Sequence, residues 1–337
     1  MVLTPAFPLR GPARKLLGIT VYACEPDEAA LFTELASRFG VVPTLTSEPA
    51  SVAGAASGPQ NRCVSVGHKA RVSGPTLRAL REAGVEYVSS RSRGVDHIDQ
   101  HAAAALGITV ENVDYEPDGV ADYTVMLMLM AIRNAKAIVS SAQADDFRLH
   151  PVRGRELRDL TVGIVGVGQV GAAVIARLQG FGCRVLASSP GPIPPGAAKR
   201  VAFDALLRDS DVISLHLPLD ASTHHVIGRA QIAAMRSGAV LVNTGRGGLV
   251  DTGALVEALE DGRLGGAALD VVEGEEGIFY VDCTDRPMEH QLLGRLQDLP
   301  NAIISPHTAY YTDRVLRATV EATLRNCRRF ERDRAHG

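Results

Sequence analysis

Short continuous apolar runs alternate along this chain with longer stretches whose apolar residues recur at helical spacing. The run Leu17-Gly-Ile-Thr-Val-Tyr22 predicts a first strand, and Asp27 to Phe39 a helix that stops at Gly40. Residues 45–61, rich in Ser, Ala, Gly and Pro, read as a loop. Cys63–Val66 and Glu86–Ser89 read as strands around a helix from Pro75 to Ala83, closed by Gly84, and the alternation continues to Thr109-Val110. A second block repeats the pattern more plainly. Strands are expected at Val162–Val165, Arg184–Ala187, Val212–Leu215, Val240–Val242, Ala267–Val271 and Ala302–Ile304. Helix-length stretches lie between them at Gln169–Gly180, Phe203–Asp209, Arg229–Met235 and Thr252–Glu260. Continuous apolar strands separated by helices belong to a parallel sheet covered on both faces, and right-handed crossovers wind such a sheet into a Rossmann-type layout. The apolar run Val125–Ile132 is too short to span a bilayer and reads as a buried helix or a subunit contact. The charged, periodic stretch Thr312–Arg332 reads as a surface helix with a solvated, Arg-rich end that returns to the first block.

Composition narrows the function classes. With 337 residues, two domains are the natural expectation. Thirty-five basic against 38 acidic residues leave a formal charge of −3, so no electrostatic grip on nucleic acid or anionic lipid is implied. Five cysteines without a CxxC pair argue against a disulfide framework or structural zinc and for a reducing, cytoplasmic setting. Residues 1–17 carry three prolines and no long apolar stretch, and read as a loose leader rather than a signal peptide.

The best local signal is Val162-Gly-Ile-Val-Gly166-Val-Gly168-Gln169-Val170-Gly171. A GxGxxG pattern that follows a strand and opens a helix suits a dinucleotide: a tight turn at Gly166, backbone approach to a pyrophosphate at Gly168, and close packing at Gly171. An acidic residue at the end of the next strand would hold the 2′-hydroxyl of NAD, but Ser188 and Ser189 stand there. Lys199 and Arg200 follow only ten or more residues later. NADPH is therefore favoured, with NADH open. The other strand ends supply His216 and Pro218, Thr244-Gly-Arg246, Asp270, and Pro306-His307. Arg246, between two glycines, suits bidentate capture of a carboxylate. Glu275, in the loop after Asp270, suits a hydrogen bond that keeps His307 a proton donor. His97 and His101 lack the pattern of a metal pair and read as surface histidines; His224 and His225 read as solvent-exposed.

Gly166-x-Gly168-x-x-Gly171, Thr244-Gly-Arg246-Gly, the Asp270 to Glu275 loop and Pro306-His307 together resemble the D-isomer-specific 2-hydroxyacid dehydrogenases. The resemblance runs from Gly18 to Phe330. It is closer to the D-lactate dehydrogenases of that family, through Asn112-Val-Asp-Tyr115-Glu-Pro117 and Pro306-His-Thr-Ala-Tyr310-Tyr-Thr312. It is closer still to the branch linked to glycopeptide (vancomycin) resistance, through Gly18-Ile-Thr-Val-Tyr22, Ser65-Val-Gly-His-Lys69, Gly265-Gly-Ala-Ala-Leu-Asp-Val271 and Phe279-Tyr280-x-Asp-Cys-Thr284. It implies an α/β fold of two Rossmann-like or flavodoxin-like parallel-sheet domains with an interdomain active-site cleft. Residues 18–112 plus 311–337 would form the substrate domain, and 113–310 the NAD(P)-binding domain. Arg246, Glu275 and His307 would form the catalytic triad, with Asp270 beside the nicotinamide and Tyr115 and Tyr310 near the substrate. Backbone groups at Val66 and Gly67 would help Arg246 hold the carboxylate of a 2-keto acid, pyruvate being the smallest. The resemblance further implies a homodimer. Asp114, Glu116 and Gly248 depart from the family's usual residues. Two other readings stay open: the same chemistry on a bulkier 2-keto acid, and a dinucleotide-sensing scaffold like the corepressors built on this fold.

Overall fold

A computed structural model of the chain describes residues 16–57, 61–149, 152–285 and 290–335. Nearly all of the leader expected over residues 1–17 lies outside them. The chain divides into two compact units, one running to Tyr115 and resuming at Leu316, the other spanning Glu116–Val315.

The first unit is built on five strands, β1 (Leu17–Val21), β2 (Val41–Leu45), β3 (Cys63–Val66), β4 (Tyr87–Ser90) and β5 (Thr109–Glu111). All pair in parallel, in the order β2-β1-β3-β4-β5. This is the flavodoxin-like winding, with its switch point between β1 and β3. Strand β2 escapes the sequence pattern because Pro43 interrupts it; as an edge strand it tolerates a residue with no amide hydrogen. The expected loop over 45–61 also holds a short helix, Val52–Ser57, while 58–60 lie outside the described residues. Phe32 and Leu35 pack with Val320, Leu324 and Cys327 of the terminal helix (Asp313–Ala335) around Ile19, Val21 and Tyr87. Tyr87 also stacks on Phe330, ring centroids 4.7 Å apart. The Arg-rich end of that helix is not simply solvated: Arg329 pairs with Glu111 and Arg334 with Glu86. Such half-exposed pairs contribute at most about 1 kcal/mol each.

The second unit carries seven parallel strands, β6 (Thr161–Val165), β7 (Arg184–Ser188), β8 (Lys199–Arg200), β9 (Val212–Leu215), β10 (Ala239–Asn243), β11 (Leu264–Leu269) and β12 (Ala302–Ile304). Their order is β12-β11-β10-β9-β6-β7-β8, a doubly wound sheet that reverses between β6 and β9. Both faces are covered, which is why β6, β9 and β10 are apolar without alternation. On one face Val174, Ile175 and Leu178 from the helix Gln169–Leu178 and Ala121, Val125 and Met128 from the helix Asp118–Ile132 pack on Val162 and Ile164. On the other, Leu255 and Leu259 from the helix Thr252–Glu260 pack on Leu241 and Leu269. The helix Ala135–Gln143 leaves little apolar pattern because none of its residues is buried. Among the described residues no single helix is long and apolar enough to cross a membrane.

Candidate active site

β6 delivers the chain to Gly166, whose φ of 90° lies where side chains rarely go. A Cβ there would also stand 2.6 Å from the His216 carbonyl oxygen, so the turn is pressed against the exit of β9 at the point where the sheet reverses. A Cβ on Gly171 would stand 2.2 Å from the Gly166 oxygen, whereas one on Gly168 would meet nothing within 4 Å. Two of the glycines thus close the turn, and the third leaves cleared space at the start of the helix that opens with Gln169 and Val170. No side chain caps that helix start. Open backbone at the positive end of a helix dipole fits the pyrophosphate of a nicotinamide dinucleotide.

The next strand ends at Ser188, with Ser189 following, both half-buried. Distance along the chain misleads about Arg200. β8 pairs with Leu186 and Ala187 of β7, and the Arg200 guanidinium donates to the carbonyls of Ser189 and Gly191, the latter at 2.6 Å. A basic group therefore lies on the very turn that the sequence shows only as two serines.

At the end of β9, His216 Nε2 lies 2.9 Å from Ser214 Oγ. Burial pushes its imidazole down to about 4, so it is neutral at physiological pH. The Pro218 carbonyl accepts from Thr223 Oγ1 at 2.7 Å, which shapes the loop beyond. At the end of β10, buried Asn243 clamps the turn that carries the candidate arginine. Its Nδ2 donates to the Arg246 carbonyl at 2.8 Å, and its Oδ1 accepts from Gly245 N at 3.0 Å. Thr244 Oγ1 lies 2.8 Å from Thr124 Oγ1. A Cβ on Gly247 would stand 2.2 Å from the Val272 carbonyl carbon, so the Arg246-Gly247 turn docks against the backbone leading to Glu275.

Asp270 is 1% exposed and organises the last strand exit. Its carboxylate accepts from Ser305 Oγ at 2.6 Å and from the Thr308 and Ala309 amides, each at 2.9 Å. Its carbonyl accepts from His307 N at 2.7 Å. These bonds hold His307 at φ 53°, a left-handed conformation that a histidine seldom adopts. His307 Nδ1 lies 2.6 Å from Glu275 Oε1, and Glu275 Oε2 accepts from Val272 N at 2.8 Å. The carboxylate fixes the proton of the imidazole on Nδ1 and leaves Nε2 for exchange. Tyr310 lies edge-on to the His307 ring, centroids 6.3 Å apart. The structure thus brings Asp270, Glu275, His307 and Tyr310 together. Tyr280 was not singled out by its chemistry, yet its hydroxyl donates to the His307 carbonyl at 2.7 Å. Asn243 and Ser305 stand at strand ends but the sequence gives them no role, since a polar residue there looks like any other until its partners are seen.

Within the first unit, Val66 ends β3 and Gly67 follows it, at that sheet's own switch point. They rest on Arg91, whose side chain is almost fully buried and pairs with Glu28 at 2.9 Å. Arg91 also donates to the carbonyls of Tyr22 and Ala23 and to Ser65 Oγ, tying the exits of β1 and β3 together. Its own amide donates to the Val66 carbonyl at 2.8 Å. Tyr115 sits under the Arg93 guanidinium, 5.4 Å from the ring centroid. His101 is exposed as expected, but His97 is half-buried, 3.4 Å from Ser90 Oγ. His224 is exposed as expected and His225 is half-buried, and both engage Glu273.

Comparison with known proteins places this geometry. Residues 125–309 match the family model described as D-isomer specific 2-hydroxyacid dehydrogenase, NAD binding domain. A D-specific alpha-keto acid dehydrogenase of Enterococcus faecium is 56% identical over 320 residues, 95% of this chain and 99% of that protein. A D-lactate dehydrogenase of Curvularia clavata is 38% identical, covering 91% of this chain and 90% of the relative. Among solved structures, a D-lactate dehydrogenase from Treponema pallidum superimposes with a TM-score of 0.82 at 30% identity, covering 94% of this chain and 97% of that one. The cleared glycine turn, the arginine on its clamped loop and the carboxylate-bound histidine stand in a chain that belongs to the D-isomer-specific 2-hydroxyacid dehydrogenase family.

Proposed function

We propose that this enzyme reduces pyruvate to D-lactate with NADPH, as a cytoplasmic homodimer, and that its product serves cell-wall precursors ending in D-alanyl-D-lactate, to which glycopeptide antibiotics bind poorly. The observation that carries the chemistry is the 2.6 Å contact between His307 Nδ1 and Glu275 Oε1. Gly166, Gly168 and Gly171, with Gln169 and Val170, would hold the cofactor's pyrophosphate, and Ser188 and Ser189 its adenosine ribose. A reduced nicotinamide supplies hydride to the keto carbon. Arg246 grips the substrate carboxylate and polarises the keto oxygen, a double task suited to a planar fork of donors. His307 donates the proton from Nε2 to that oxygen, and Glu275 stabilises the charged imidazole beforehand. Asp270 holds the His307 segment, and Tyr310 closes one side of the imidazole. Val66, Gly67 and Tyr115 are the further substrate contacts proposed.

The preference for NADPH is supported by three features of one turn: no carboxylate to repel a 2′-phosphate, two serine hydroxyls, and the Arg200 guanidinium. Arginine pairs with phosphate through charge-assisted hydrogen bonds. Steady-state kinetics with pyruvate, 2-ketobutyrate, hydroxypyruvate and phenylpyruvate, each with both reduced cofactors, tests the reading. The highest kcat/KM should belong to pyruvate with NADPH, and the product should be D-lactate. A higher value for a bulky keto acid, or for NADH, overturns the corresponding part.

A further inference from the structure

Beside the proposed catalytic residues lies a cluster the reaction does not use. Glu273 stands two residues before Glu275, on the loop that leaves β11. Its Oε1 lies 3.2 Å from His224 Nε2, and both its carboxylate oxygens lie 2.9 Å from His225 Nε2. The two imidazoles are stacked, centroids 3.9 Å apart and 24° from parallel, so both ring nitrogens face the same carboxylate. The backbone fixes this arrangement. His225 is held at φ 51°, and its amide donates to the Gly248 carbonyl at 2.8 Å. On the other side, His290 Nε2 bonds the Glu273 carbonyl at 2.8 Å.

We propose that His224, His225 and Glu273 form a binding site for a divalent transition-metal ion of the zinc, cobalt or nickel class. The spacing of the donor atoms matches a coordination shell. Metal–ligand bonds of about 2.1 Å place neighbouring ligand atoms about 3.0 Å apart in an octahedron and about 3.4 Å apart in a tetrahedron. The two His–Glu separations, 2.9 and 3.2 Å, lie near the octahedral edge length, and all three ligand atoms lie within 4.8 Å of one another. Two imidazoles and one carboxylate select these ions over magnesium or calcium, which take oxygen ligands. The side chains of His224, His225 and Glu273 are 52%, 36% and 37% exposed, which leaves room for water to complete the shell. An ion bound here joins the loop beyond Pro218 to the loop that carries Glu275, and so braces the backbone of the catalytic carboxylate. The inference does not depend on the identity of the keto acid.

The test uses tag-free, chelator-stripped full-length protein titrated with Co2+ and, separately, Ni2+, followed by calorimetry, visible absorption and thermal unfolding. One equivalent should bind saturably, with an absorption spectrum of nitrogen and oxygen ligation, and raise the unfolding temperature. His224→Ala, at a half-exposed position where folding is safe, and Glu273→Gln should each weaken binding by at least about tenfold, since even outer ligands of metal sites reach that effect. His101→Ala should leave it unchanged. Absence of saturable binding, a thiolate spectrum from the cysteines, or wild-type affinity in the His224→Ala and Glu273→Gln proteins overturns the site.

Discussion

The motif assigns Gly168 to the approach of a pyrophosphate and Gly171 to close packing, and alanine at each position separates the two duties. At Gly171 the new Cβ would stand 2.2 Å from the Gly166 oxygen, on backbone that cannot swing aside. Gly166 is itself pinned at φ 90° against the His216 carbonyl, so either the helix start or the β6 exit must move. Overpacking of this kind costs about 1–3 kcal/mol, more than the roughly 1 kcal/mol that alanine gains over glycine inside a helix. Gly171→Ala should therefore lower stability, by up to about 2 kcal/mol net. At Gly168 the backbone angles suit any residue, and nothing lies within 4 Å of the new methyl. Loss of a favoured helix-capping residue costs at most about 1 kcal/mol. The methyl instead fills the space proposed for the pyrophosphate and displaces charge-assisted hydrogen bonds worth about 1.5–3 kcal/mol. Affinity for NADPH should fall by about tenfold to a hundredfold. Urea unfolding and NADPH fluorescence titration on both variants measure the two effects. A Gly168→Ala protein that binds NADPH like the wild type would refute the reasoning, as would a Gly171→Ala protein of undiminished stability.

Further expectations follow from neighbouring groups. Ser189→Asp should repel a 2′-phosphate and accept from a 2′-hydroxyl, and Arg200→Leu should remove a phosphate partner; each should shift the ratio of NADPH to NADH affinities by about tenfold. Titration with 2′,5′-ADP against 5′-ADP reads the same change without turnover. Asp270→Asn places an amide among three donors, and losing one bond to a buried carboxylate costs about 1.5–3 kcal/mol; urea unfolding should show that loss together with a fall in kcat. His216 takes up a proton near 6.5 when unfolded but only near 4 when folded. Its contribution to stability is thus present above 6.5 and is lost as pH falls toward 4, by at most about 3 kcal/mol. In urea unfolding, His216→Gln should lose less stability than the wild type between pH 7 and pH 5; equal losses would mean the imidazole is not shielded as described.

Much of the architecture was legible because both sheets are parallel and buried. Residues such as Val240 to Val242 must then be apolar in unbroken runs, and an unbroken run is easy to read. What escaped lies where burial relaxes. Strand β2 carries Pro43 on a sheet edge, β8 is a polar pair of residues, and the helix Ala135–Gln143 buries nothing. In the candidate site, Arg246, Glu275 and His307 are legible as candidates because their residue types at or just beyond strand ends announce chemistry. Asn243, Ser305 and Tyr280 are not, because they act through partners that only the fold brings near: Asn243 and Tyr280 hold backbone carbonyls at 2.8 and 2.7 Å, and Ser305 bonds the Asp270 carboxylate at 2.6 Å. Arg200 shows the reverse error: ten residues of chain separate it from Ser189, and one strand pairing removes that distance.

The central claim is that His307, held by Glu275, protonates the keto oxygen as hydride arrives. Single-turnover reduction of pyruvate by enzyme-bound NADPH, in the wild type and in His307→Gln, tests it most directly when NADPH affinity and product chirality are measured on the same samples. The wild type should yield D-lactate, and the variant should bind NADPH equally well while its hydride-transfer rate falls by about 10²–10⁴-fold. A His307→Gln enzyme that turns over at near the wild-type rate, or a wild-type enzyme that yields L-lactate, contradicts the account.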